Sequence, residues 1–139
     1  MHHAPPRAAG PCVAAARAAL APAGVTARVT GVSPGLATCA YAAPGLRVNV
    51  SVDTNPQARV RFSRAVVERG QVAVWSGHHG HLPRLLHGIG EGADWFPDDR
   101  ELLATDGRRL IDVTLVRTAL PAPARLRLAR AVARATLAG

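Results

Sequence analysis

The sequence has no lysine and few aromatic residues, and both features limit the classes of partner that can be predicted for the chain. All 17 basic side chains are arginine, and only 4% of the 139 residues are Phe, Trp or Tyr. Because Ala, Gly and Pro are also abundant, the arginines are typical of GC-rich codon usage and are weak evidence for an anionic partner. A surface that stacks single-stranded bases needs aromatic side chains beside its cations, and no basic block here has them.

No apolar run approaches the roughly 18 residues that cross a bilayer, and residues 1–10 lack the apolar centre of a signal peptide. We predict a flexible tail at 1–10 and a single domain at 11–139, since a chain of this length suits one core. The formal net charge of +8 indicates either an anionic partner or a soluble surface whose cations are arginine.

Three strand signals lie at 25–32, 36–41 and 46–52, and the last alternates Leu and Val with Arg47, Asn49 and Ser51. A period of two places one side of a strand in the core and the other in water. Pro34 and Gly35, and then Pro44 and Gly45, supply turn chemistry between the strands. This pattern predicts an antiparallel meander.

Helices are predicted at 13–20, at 56–69 after an Asn55 cap, and at 121–137. The segment 76–92 is predicted to be irregular, and Asp106 with Gly107 favours a two-residue hairpin turn between two further strands. The order α-β-β-β-α-(irregular)-β-β-α predicts an α+β fold. It is an antiparallel sheet of about five strands with helices packed on one face.

The two cysteines, Cys12 in the first predicted helix and Cys39 in the second strand, are either buried free thiols or a disulfide. A bond would close a loop of about 28 residues, for which chain entropy gives roughly 3.6 kcal/mol of stability. The spacing does not fit a redox CxxC pair, and two cysteines alone do not hold a structural zinc ion.

No pattern for catalysis is complete. His78, His79 and His81 can hold a transition metal if a carboxylate joins them, but they lack the i, i+4 spacing of zinc helices, and a solvated loop is the favoured interpretation. The glycine-rich stretch 88–93 does not open a helix, so it does not fit a dinucleotide loop. We predict no catalytic residue, no metal and no cofactor, and keep a histidine-based metal enzyme as an alternative.

A candidate partner surface combines the large aromatic residues, the histidine cluster and the arginines that share one side of the last helix. Its members are Trp75, His78, His79, His81, Trp95, Phe96, Arg127, Arg130 and Arg134. For the aromatic members, core packing is the alternative to a ligand pocket. Asp98, Asp99 and Glu101 are expected to pair with arginines at the surface.

The order of several features along the chain resembles that in a known group of proteins. The features are Cys12, the stretch Thr38-Cys39-Ala40-Tyr41, the alternation at 46–52, the glycine-rich 88–95 and the hairpin at 102–116. The proteins of this group are uncharacterised actinobacterial secreted proteins and lipoproteins with a C-x-[YW] strand and a G-[IL]-G-x-x-A loop. The layout is loosely similar to extracellular sensor domains of mycobacterial Ser/Thr kinases. The resemblance spans 11–138, implies a bond between Cys12 and Cys39, and supplies no catalytic residues.

These observations predict a non-enzymatic, extracytoplasmic binding or sensor module that takes a protein or small-molecule ligand. It is secreted, or anchored at the surface through a segment outside this sequence, and cytoplasmic if Met1 is the native start. The alternative from another class is an arginine-rich cytosolic protein that binds nucleic acid or an acidic partner through Arg127, Arg130 and Arg134.

Overall fold

A computed structural model describes residues 19–20, 25–75 and 82–139. Within them the chain forms one antiparallel sheet of seven strands in the order β1-β2-β3-β7-β6-β5-β4. The strands are β1 (Thr26–Ser33), β2 (Leu36–Ala43), β3 (Leu46–Asp53), β4 (Arg84–Leu86), β5 (Gly92–Phe96), β6 (Glu101–Thr105) and β7 (Leu110–Thr118). The helices with described bounds are α1 (Ala58–Trp75) and α2 (Ala122–Ala138).

The first three strands form the meander that the sequence predicts. Ser33 pairs with Leu36 around a two-residue turn in which Gly35 has φ 77°. A positive φ directly after a proline is the type II turn, which glycine adopts without steric cost. The β2–β3 turn repeats this geometry at Gly45, with φ 71°.

The prediction of about five strands is wrong, because β4 and β5 lie in and beside the segment predicted to be irregular. β4 has three residues, and β5 follows a loop in which Gly88 and Gly90 have positive φ. Neither strand is long enough to show a clear alternation, and both are held by strand pairing, β5 with β6 and β4 with β5. The described elements therefore run β-β-β-α-β-β-β-β-α.

One side of the sheet, the apolar face, forms the main core. Val50 of β3 lies opposite Val113 of β7, and residues two positions away on each strand share their side. α2 covers this face, and its Val132 and Ala133 are fully buried in the same core.

The other side, the polar face, is covered by α1 over β5, β6 and β7. Phe62 of α1 packs against Gly92, where an added Cβ would come within 3.2 Å of the ring. All residues of β6 are buried, and Leu102 and Leu103 point to opposite faces with exposures of 0% and 1%. The prediction that helices pack on one face is therefore wrong. Consecutive buried residues, rather than alternation, are typical of a strand covered on both sides.

The start of α1 differs from the predicted Asn cap. The helix begins at Ala58 after Gln57, whose φ is 65°, and it continues through the predicted stop at Gly70 to Trp75. The Arg61 side chain reaches back to the preceding turn, where it pairs with Asp53 and donates to the backbone oxygens of residues 55 and 56. An arginine, rather than a cap, therefore holds this turn.

The β6–β7 connection has four residues, so the predicted two-residue turn is wrong. Thr105 pairs with Leu110, and Oδ1 of Asp106 accepts hydrogen bonds from the backbone N–H groups of Arg108 (2.9 Å) and Arg109 (2.8 Å). An aspartate that hydrogen-bonds the backbone two and three residues ahead stabilises this wider turn.

Cys39 lies in β2 with 1% exposure and is not a free thiol. Cys12 lies outside the described residues, so its bond to Cys39 stays a prediction. Of the helix predicted at 13–20, the structure describes Ala19 and Leu20, which are helical. Neither α1 nor α2 has the length and apolar character needed to cross a bilayer.

Candidate functional site

α1 leaves uncovered the part of the polar face that β1, β2, β3 and the facing side of β7 form, and we call this part the open half-face. Apart from Leu36, which is 38% exposed, its side chains are polar or small, and none of them is aromatic. They are Arg28, Thr30, Thr38, Ala40, Ala42, Arg47, Asn49, Ser51, Asp112, Thr114 and Arg117. A sheet face of this kind is an accessible, rigid platform for a ligand.

Three arginines meet at one end of the open half-face. Arg28, Arg47 and Arg117 line a hollow of about 880 Å³ that also includes Ala40 and Ala42. All three arginines are exposed, and none forms an ion pair with a carboxylate of the described residues. Small side chains between them leave room for another molecule to approach the sheet.

Four other arginines of the described chain form ion pairs with nearby carboxylates. The pairs are Arg59 with Glu91, Arg61 with Asp53, Arg69 with Glu101 and Asp112, and Arg109 with Asp106. The three arginines of the open half-face differ from these four, because no described carboxylate offsets their charge.

A β-bulge brings two of the three arginines face to face. Arg47 pairs with Arg117 while Val48 pairs with Leu115, so Val116 is an extra residue in β7. Without the bulge, Arg117 would follow Leu115 onto the apolar face. Like charges directly opposite each other on neighbouring strands destabilise a sheet, and a bound anion relieves that repulsion.

The other end of the open half-face offers hydrogen-bonding groups. A second hollow of about 330 Å³ is lined by Thr30, Thr38, Asn49, Ser51 and Thr114, among others. The Thr30 hydroxyl donates to the Thr38 hydroxyl at 3.0 Å, whereas the Asn49 amide and the Ser51 hydroxyl have no hydrogen-bond partner among the described side chains and backbone. An amide side chain both donates and accepts, so Asn49 matches the needs of a peptide group.

A carboxyl pair lies at the border between this hollow and α1. Nε of Arg69 is 2.5 Å from Oε1 of Glu101, and its Nη2 is 3.6 Å from Oδ2 of Asp112. Burial raises the pKa of Asp112 to about 8, with a further contribution from Glu101, while Arg69 and the Thr114 hydroxyl act in the opposite direction. One guanidinium does not balance both the buried Glu101 and the partly buried Asp112, so Asp112 holds a proton near neutral pH.

We expect the substitution Asp112→Asn to change how the free energy of unfolding depends on pH. A carboxyl group whose pKa is near 8 in the folded state and about 3.9 in the unfolded state stabilises the fold while protonated. That contribution is complete below about pH 4 and is lost as the pH rises to about 8, at up to about 1.4 kcal/mol per pH unit.

The variant should lack this slope and should gain stability relative to the parent protein as the pH rises. Urea unfolding at a series of pH values measures it, with the exposed Asp99→Asn as the matched control. Parallel pH profiles for the parent protein and Asp112→Asn would contradict the raised pKa of Asp112.

No family model, curated protein or solved structure matches this chain. The resemblance to actinobacterial secreted proteins therefore stays a prediction, and the geometry of the described residues carries the functional argument.

The structure separates the aromatic members of the predicted partner surface. Trp75 ends α1 with 82% of its surface exposed, whereas Trp95 (5%) and Phe96 (3%) are buried on opposite faces of the sheet. His78, His79 and His81 lie outside the described residues. In the part of the chain that is described, no group of three or more His, Cys, Asp or Glu side chains has a geometry that holds a metal ion.

The predicted arginines of the last helix also separate. Arg130 and Arg134 donate to the backbone oxygens of His87 and Gly88, each at 3.3 Å, and so attach α2 to the β4–β5 loop. Arg127 and Arg130 line one groove with Trp95, and Arg134 does not. Glu101, expected at the surface, is 8% exposed and pairs with Arg69.

Arg28, Arg47, Arg117 and Asp112 of the open half-face are not among the site residues predicted from the sequence. The alternation in β3 does place Arg47 and Asn49 on the side away from the core. The alternation does not indicate that β3 pairs with β7 or that β7 has a bulge at Val116. These two features bring Arg117 and Asp112 to the same side. Asp112 and Thr114, which alternate with buried residues of β7, were the available signal.

Proposed function

We propose that this protein is a non-enzymatic binding module that holds an acidic segment of a partner protein on the open half-face. The observation that carries the proposal is the hollow in which Arg47 and Arg117 oppose each other beside Arg28 without a described carboxylate. Carboxylates accept paired hydrogen bonds from guanidinium groups, so Asp and Glu side chains complement this hollow.

The surroundings of the arginines favour a protein segment over a nucleic acid. Single-stranded bases are bound by stacking on aromatic side chains, and the described open half-face has none. Asn49 and Ser51 instead offer donors and acceptors with no other described partner. Ala40 and Ala42 let a peptide backbone come close to the sheet.

We place this module outside the cytoplasm. The support is Cys39, a buried cysteine that is not a free thiol, because disulfides persist mainly in oxidising compartments. A rigid platform stabilised in this way suits a secreted or surface-attached binding or sensor domain.

The test is the affinity for a fluorescent peptide of alternating Glu and Ala residues, measured by anisotropy at low salt. We expect binding by the parent protein and at least about tenfold weaker binding by the triple variant Arg28→Gln, Arg47→Gln, Arg117→Gln, since each exposed ion pair contributes up to about 1 kcal/mol. Added salt should weaken the binding of the parent protein more than that of the variant.

The matched control is Arg64→Gln, Arg108→Gln, Arg134→Gln, which removes the same charge from exposed positions outside the open half-face. We expect it to bind the peptide within about twofold of the parent affinity, because screening limits distant exposed charges. Equal losses in both triple variants would show that only net charge matters. Tighter binding of single-stranded DNA than of the peptide would favour the nucleic-acid alternative.

A further inference from the structure

Another concave region lies on the other side of the sheet, where the start of α2 meets β4 and β5. This groove has a volume of about 390 Å³, and we call it the Trp95 groove. Its apolar lining includes Trp95, Pro97, Pro123 and Leu126. Pockets for small molecules have similar volumes and similar apolar linings.

Cations surround this apolar lining. Arg84 is the cross-strand neighbour of Trp95, and Arg127 and Arg130 face the groove from α2. None of the three forms an ion pair with a described carboxylate, and the first turn of α2 contains no acidic side chain. Arg130 keeps a hydrogen bond to the backbone of His87 at 3.3 Å, which orders one part of the rim.

We infer that the Trp95 groove binds a small molecule that has an apolar ring and one anionic group, such as an aromatic carboxylate or sulfonate. The ring is complementary to Trp95, Pro97 and Leu126, and the anion is complementary to the arginine rim. The groove and the open half-face are on opposite sides of the sheet. This inference therefore does not depend on the proposed function, and the two sites can be tested separately.

The test uses the intrinsic fluorescence of Trp95 in a Trp75→Phe background. Trp75 is 82% exposed, so its replacement leaves the core unchanged and makes Trp95 the single tryptophan of the chain. The probe is anilinonaphthalene sulfonate, which has fused apolar rings and one sulfonate and accepts energy from tryptophan. We expect saturable quenching of Trp95 as the emission of the probe rises.

In this background, Arg84→Gln with Arg127→Gln should raise the Kd of the probe about tenfold, while the matched control Arg134→Gln on the same helix should change it less than twofold. The uncharged analogue N-phenylnaphthylamine should bind all three proteins equally. Urea midpoints within error of one another establish that the variants are folded.

Equal affinity of the sulfonate probe for the double variant and the control would overturn the inference, as would energy transfer that does not saturate. Binding of the Glu and Ala peptide to the open half-face should persist in the double variant. Loss of both ligands from the double variant would contradict the assignment of two separate sites.

Discussion

Reduction of the protein is expected to lower its free energy of unfolding by about 3.6 kcal/mol, the chain-entropy value for a loop of about 28 residues. The loop is the one that the predicted bond between Cys12 and Cys39 would close, and this bond would hold the first predicted helix against β2. Cys39 is 1% exposed on the apolar face, so reduction would leave its thiol group buried there. Urea unfolding with and without reductant measures the change, which is a large part of the stability of a small domain.

Cys12→Ala provides the control for reduction itself. This variant should be as unstable as the reduced parent protein and should not respond to reductant. Thiol titration of the unfolded, unreduced parent protein should detect no reactive thiol. Two reactive thiols would contradict the bond and would remove the support for a location outside the cytoplasm.

The second large effect is expected at Leu103, which lies between the sheet and α1. Leu103→Ala should lower the free energy of unfolding by about 3 kcal/mol, because the truncation leaves a cavity at a site that is 1% exposed. This loss would establish that the polar face has its own core beneath α1. Chemical denaturation measures it.

Leu85→Ala is the matched control, because Leu85 and Leu103 flank Asp94 on the same face while Leu85 is 61% exposed. The control should cost about 0.5 kcal/mol or less. A similar small loss at Leu103 would mean that α1 does not pack on the polar face in solution.

The sequence predicts the local parts of this fold better than its long-range parts. The β1–β3 meander is encoded by alternation and by two Pro-Gly turns, which act within a few residues of the chain. β5 depends on pairing with β6, and β4 on pairing with β5, so the short and glycine-flanked sequences of both strands are poor signals. The position of α1 on the polar face is indicated by Leu102 and Leu103, consecutive buried residues on opposite sides of one strand.

The same distinction explains the candidate sites. The alternation in β3 predicts that Arg47 and Asn49 lie on its solvent-facing side, but no local pattern places Arg117 opposite Arg47. The two arginines lie opposite each other because β3 pairs with β7, which is distant in sequence, and because β7 contains a bulge. Trp95, Arg127 and Arg130 were selected from the sequence because of their residue types, and packing of α2 on the sheet brings them to one groove.

The most direct test of the open half-face is an amide NMR titration of isotopically labelled protein with the peptide of alternating Glu and Ala residues. We expect the largest shift changes in β1, β2, β3 and the end of β7, centred on Arg28, Arg47, Asn49 and Arg117. The peptide with Gln in place of Glu should cause little change. Shift changes confined to α2 and the β4–β5 loop, with none around Arg47, would contradict binding at the open half-face.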